Sequence, residues 1–249
     1  MICLRPLYVL CVLMGALPCG IAGEIKVAVA SNFAPTLRVL ADGFEKESGH
    51  EVIVVTGSTG KLYAQIVRGA PYDVFLAADA KRPELLEKQG AAVMGSRVTY
   101  AVGRLVLWSR DEDVVDEGGK VLMGDPVGRL AIANPRIAPY GQAALETLEK
   151  LGRWGAWQAS LVRGENAAQT WQFVESGAAR LGMVARSHWV TNGKRGAVWL
   201  VPAELHQPLV QQAVRMNDRP EAVAWMRYLQ SDRALQVIRD HGYDKPDAE

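Results

Sequence analysis

Residues 25–61, IKVAVASNFAPTLRVLADGFEKESGHEVIVVTGSTGK, decide the fold. Ile25 to Ala30 is a short apolar, partly β-branched run, which suits a buried strand. Ser31-Asn32 supplies a turn, and Pro35 to Ser48 places Leu37, Leu40 and Phe44 on one face of a helix. Gly49 ends that helix and Glu51 to Val55 is the next strand. Thr56-Gly57-Ser58-Thr59-Gly60 is a second small polar turn, before a helix from Lys61 to Val67. A third strand, Asp73 to Ala77, and a third helix, Lys81 to Gln89, keep the rhythm. Alternating strand and helix specify an α/β unit with a largely parallel sheet.

Working outward, a second unit begins near Tyr100. Leu105 to Trp108, Leu130 to Ala133, Leu181 to Ala185 and Val198 to Val201 read as strands. Helices are expected at Gly141 to Leu151, Ala167 to Ser176, Glu221 to Gln230 and Arg233 to Asp240. The chain has no internal repeat and no low-complexity linker, and two α/β units joined by short connections form a cleft between them.

Met1 to Gly23 read differently. Arg5 is the only charge, Leu7 to Leu17 is apolar, and Gly20-Ile21-Ala22-Gly23 are mostly small, the order of a secretory signal peptide over residues 1–23. The apolar run falls short of the roughly 20 residues that span a bilayer. Cys19 follows Ala16-Leu17-Pro18, and proline directly before the cysteine fits a lipidation site poorly. All three cysteines lie in the leader, so the exported chain is expected to carry neither disulfide nor thiolate chemistry. Removing the leader takes away one basic residue and no acidic one, leaving 27 of each and a formal charge of zero. That balance speaks against binding nucleic acid by bulk electrostatics. The expected compartment is a bacterial periplasm.

Ala30-Ser31-Asn32 and Gly57-Ser58-Thr59-Gly60 both sit where a strand ends and a helix begins. In a parallel sheet such turns lie at the carboxyl edge, where open α/β folds bind ligands. Helix N-termini there present unpaired N–H groups and a positive dipole end to an anion. Two readings stand side by side: ordinary helix caps, or an anion site. A nucleotide phosphate loop is excluded, because only two residues separate Gly57 from Gly60 and Leu62 follows Lys61. Lys61 is read as a solvated charge. Tyr140, between Pro139 and Gly141, is a rigidly placed phenol able to donate into a cleft or to pack on its loop. Ala167 opens another helix and would leave its N–H accessible.

Enzyme signatures are sparse. His50, His188, His206 and His241 show no metal-ligand spacing, and no Gly-x-Ser-x-Gly elbow surrounds Ser31 or Ser58. Asp73 and Asp79 flank a strand without an assignable partner acid, and most of the seven irregularly spaced tryptophans are expected to be core or lobe-surface residues.

Several stretches together resemble the molybdate-binding proteins of bacterial ABC importers. They are Val27 to Ala34, Gly57-Ser58-Thr59-Gly60, Gly69 to Phe75, Ala133-Asn134-Pro135, Ala138-Pro139-Tyr140-Gly141, Lys150-Leu151-Gly152 and Leu181 to Val184. The similarity runs in order along the whole mature chain. It implies the type II periplasmic binding fold, with residues 24–101 and 206–249 in one lobe and 102–205 in the other. It implies a monomer without cofactor that captures molybdate, or tungstate, and delivers it to a membrane permease. It implies that Asn32 and Thr59 bind the oxyanion from the first lobe, with Ser31 and Ser58 adjoining and the Ala78 backbone assisting. Tyr140, by its phenol, and the Ala167 N–H would bind from the second lobe. The chain departs from the enterobacterial pattern in carrying Asn32 and Thr59 where that pattern has serines, and Ala185 where it has its tyrosine. Two other readings remain open: the same fold with another oxyanion or a small organic acid, and an enzyme on a two-lobed α/β scaffold.

Overall fold

The computed structural model describes residues 23–245, so all of the expected leader except Gly23 lies outside the described residues. The chain begins with β1 (Glu24–Ala30), α1 (Ala34–Ser48), β2 (Glu51–Gly57), α2 (Thr59–Val67), β3 (Val74–Leu76), α3 (Lys81–Lys88) and β4 (Val98–Gly103). It continues with β5 (Leu105–Ser109), β6 (Leu130–Ala133), α4 (Pro139–Lys150), α5 (Trp154–Trp157), β7 (Leu161–Gly164), α6 (Ala167–Glu175), β8 (Leu181–Ala185), α7 (Arg186–Thr191) and β9 (Ala197–Leu200). It closes with β10 (Leu209–Arg215), α8 (Pro220–Leu229) and α9 (Asp232–Asp240).

These strands form two five-stranded sheets, ordered β2-β1-β3-β10-β4 and β7-β6-β8-β5-β9. In the first, β1 is parallel to β2 and β3, and β10 runs antiparallel to β3 and β4. In the second, β6 is parallel to β7 and β8, while β5 is antiparallel to β8 and β9. The chain leaves the first sheet at Gly103-Arg104 and returns between Leu200 and Leu209, so two short crossings join the lobes. Two α/β lobes connected in this way are the type II periplasmic binding fold.

Period-two alternation explains why β1 is central. Val27 and Val29 pack under α1 and α8 with Leu37, Phe44 and Trp225, whereas Ala28 faces Leu62, Ile66 and Phe75 on the opposite side. The second lobe packs Leu107, Ile132 and Met183 against Leu148 of α4 and Trp157 of α5. Five of the seven tryptophans are buried.

The expected helices and strands are present, with ends shifted by a few residues. Three strands, β4, β7 and β10, and the short helices α5 and α7 were not anticipated. In β10 the pair Gln211-Gln212 breaks the apolar pattern, yet Gln211 is fully buried because tertiary hydrogen bonds satisfy its amide. Asp73, without a partner at the sequence level, accepts from the Lys26 N–H, from Asn217 Nδ2 and from Arg219. It ties the edge of β1 to the segment before α8.

Candidate functional site

Turns at the carboxyl ends of β1, β2, β6 and β7 converge between the two sheets. They surround a small cavity, lined from the first lobe by Ser31, Asn32, Ser58, Thr59 and Ala78 and from the second by Tyr140 and Ala167. Ala30, Gly57, Ala138 and Pro139 complete the wall, so no lining residue is charged. A larger groove adjoins it past Ala78, Ala138 and Pro139, carrying Lys81, Arg136 and Glu146 together with the Asp79–Arg82 ion pair. Mixed in charge, that groove lacks the ring of converging donors that marks the small cavity.

The donors come from local structure. The first residues of a helix have no intrahelical acceptor for their N–H groups. Among the described residues, nothing accepts from the backbone N–H of Asn32, Thr59, Tyr140 or Ala167. Three hydroxyls add to them. Ser58 caps α2, accepting the Lys61 N–H at 3.4 Å, so the capping reading holds for that residue. Ser31 Oγ accepts the Ala168 N–H at 3.2 Å, across the cleft. Thr59 Oγ1 accepts the Ala78 N–H at 3.1 Å. Each of these oxygens receives a hydrogen bond and keeps its own proton to give.

The structure adds detail at four of the positions read from the sequence. The Ala78 N–H is committed to Thr59 Oγ1, so Ala78 supplies wall rather than a donor. The Asn32 side chain turns away from the cavity, its Nδ2 donating to Gln211 Oε1 at 2.9 Å and to Tyr243 Oη at 3.2 Å; what faces the cleft is its N–H. The Tyr140 Oη accepts from Gln211 Nε2 at 3.3 Å and, like the hydroxyls, keeps its own proton to give. Lys61 is paired across the cleft, its Nζ lying 2.6 Å from Glu165 Oε2, although both side chains are about half exposed or more.

A support layer stands behind the first turn. The Asn32 carbonyl accepts from Tyr243 Oη at 2.7 Å and from Ser187 Oγ at 3.1 Å, and His188 Nε2 lies 3.3 Å from the Ser31 carbonyl. Burial pushes the His188 pKa down to about 4, so the ring is neutral at pH 7 and donates from Nε2. Burial also pushes the phenols of Tyr100 and Tyr140 well above their ordinary value, which keeps them protonated. Gln211, Ser187, His188 and Tyr243 were missed at the sequence level, since each lies more than 150 residues from its partner in the Ser31-Asn32 turn. No three His, Cys, Asp or Glu side chains among the described residues cluster as a metal site.

Two α/β lobes around a cleft lined with donors are the architecture of a solute-binding protein. Residues 25–244 match the bacterial extracellular solute-binding protein family, and the chain belongs to it. Over 235 residues it is 48% identical to the molybdate-binding protein ModA of Azotobacter vinelandii, covering 92% of this chain and 93% of that one. It is 42% identical over 238 residues to ModA of Rhodobacter capsulatus, covering 94% and 93%. The structure of the Azotobacter vinelandii periplasmic molybdate-binding protein superposes with a TM-score of 0.85 at 42% identity, covering 90% of this chain and all of that one. Solute binding, not turnover, is the activity of such proteins.

Proposed function

We propose that this protein is the periplasmic molybdate-binding component of an ABC importer, capturing the dianion in its cleft and presenting it to a membrane permease. The observation that carries this reading is the uncharged cavity, with unengaged N–H groups from both lobes and hydroxyls arranged around it. A tetrahedral dianion is held by fixed neutral dipoles when every oxygen is hydrogen-bonded. The names of the two similar relatives, both molybdate-binding, support this choice of oxyanion. We extend the proposal to tungstate, which has the same charge and shape.

The donors proposed are the N–H groups of Asn32, Thr59, Tyr140 and Ala167 and the hydroxyls of Ser31, Ser58 and Thr59. The lobes proposed are residues 24–101 with 206–249, and 102–205, closing by hinge rotation as a monomer. No cofactor takes part, and the molybdate is cargo. Selection against sulfate follows from size: a smaller anion leaves donors unpaired, at roughly 1–3 kcal/mol each. Calorimetric titration with molybdate, tungstate, sulfate and phosphate tests the reading. One tight site for the two metal oxyanions supports it, and equal affinity for sulfate, or no binding of molybdate, overturns it.

A further inference from the structure

Gln211 does not line the cavity, yet it is fully buried and stands between the two halves of the site. It lies on β10, the first strand after the chain returns from the second lobe, where the pairing with β4 shifts register between Gln211 and Gln212. Its Oε1 accepts from Asn32 Nδ2 at 2.9 Å and lies 3.0 Å from Tyr100 Oη. Its Nε2 donates to Tyr140 Oη at 3.3 Å. One amide thus touches the first-lobe turn with one end and the second-lobe helix α4 with the other.

The contact with Asn32 selects the amide orientation. With Oε1 facing Asn32 Nδ2, a flip would set NH₂ against NH₂ there. The other crossing closes the arrangement from below. A Cβ at Gly103 would lie 2.3 Å from Tyr140 Oη and 2.6 Å from Gln211 Nε2, so glycine there makes room for both groups.

Building on the oxyanion reading above, we infer that Gln211 is a positioning residue that couples the two halves of the cleft. Through Asn32 it holds the first turn, whose N–H faces the anion. Through Tyr140 it holds the start of α4, whose N–H faces the anion from the opposite side. Rotation of the second lobe away from the first carries Tyr140 off Gln211 and breaks the bond between them, so the bond favours the closed form.

Four proteins test this: wild type, Gln211→Met, Tyr140→Phe and the double variant. The readouts are molybdate affinity by calorimetry, release rate, and the fall in radius of gyration on adding molybdate. Gln211→Met is expected to weaken binding about tenfold, mainly through faster release, and to reduce the compaction. In the Tyr140→Phe background the same change is expected to cost less than in the wild type, because the bond to Tyr140 is already gone and only those to Asn32 and Tyr100 remain to be lost. Wild-type affinity and compaction in folded Gln211→Met, or losses that simply add in the double variant, overturn the inference while leaving the functional reading intact. Failure of the wild type to bind molybdate overturns both. If Gln211→Met does not fold, Gln211→Asn replaces it, keeping a buried amide but drawing it back from Tyr140 by one methylene; unchanged affinity then overturns the inference.

Discussion

The Gly60 N–H donates to the Ile137 carbonyl across the cleft at 2.8 Å, and a methyl group on Gly60 would lie 3.0 Å from both the Cα and the carbonyl oxygen of Ile137. The lobes meet backbone to backbone here, and backbone cannot swing aside as a side chain can. Gly60→Ala is therefore expected to hold the lobes slightly apart and weaken molybdate binding about tenfold or more, about 1.4 kcal/mol. The free protein should be no less stable, because alanine is the better helix residue. Titration calorimetry and thermal unfolding of the ligand-free variant check this together; wild-type affinity would show that the contact yields.

Beside that contact, the Lys61–Glu165 pair spans the cleft at 2.6 Å from exposed positions. Exposed pairs contribute about 0.2–1 kcal/mol and are screened by salt. Lys61→Met is expected to lower affinity only about 1.5- to 5-fold at low ionic strength, with the difference from wild type gone near 1 M salt. A loss that persists at high salt would place Lys61 in direct contact with the anion.

Thr59 Oγ1 is held from behind by the Ala78 N–H. Thr59→Val keeps the shape, removes a donor to the anion and leaves the Ala78 N–H unpaired. Affinity is expected to fall roughly 5- to 150-fold, the equivalent of 1–3 kcal/mol, with Thr59→Ser close to wild type. Weakening by serine with valine close to wild type would trace the effect to packing of the methyl group instead.

His188 resists protonation in the fold, with a pKa of about 4 against an ordinary 6.5. Between those values the unfolded chain binds a proton that the folded chain refuses, so stability is fully present above pH 6.5. It falls with pH toward 4, by up to about 3 kcal/mol. His188→Gln retains a donor for the Ser31 carbonyl and removes the titration. Urea unfolding between pH 4 and 7 should therefore show a flatter acid limb in the variant; an unchanged slope would assign acid sensitivity to other groups.

Much of the framework was legible locally. Apolar runs marked β1, β2, β5, β6 and β8, and turn chemistry marked Ser31-Asn32 and Ser58-Thr59 as strand-to-helix junctions. All seven residues singled out for the cleft line one cavity. β10 was not legible, because Gln211 and Gln212 look like surface residues until the fold supplies Asn32, Tyr140 and Thr99 as partners.

By itself the sequence determined the two α/β units and the uncharged character of the turns that meet between them, since periodicity and turn preference act over a few residues. Only the tertiary structure decided where each polar group points. It turned the Asn32 amide toward Gln211 and Tyr243, 179 and 211 residues away, and the Tyr140 phenol toward Gln211, 71 residues away. Likewise it brought Lys61 to Glu165, 104 residues along the chain. The direction of a hydrogen bond depends on its partner, and these partners, far apart in sequence, become neighbours only when the chain folds.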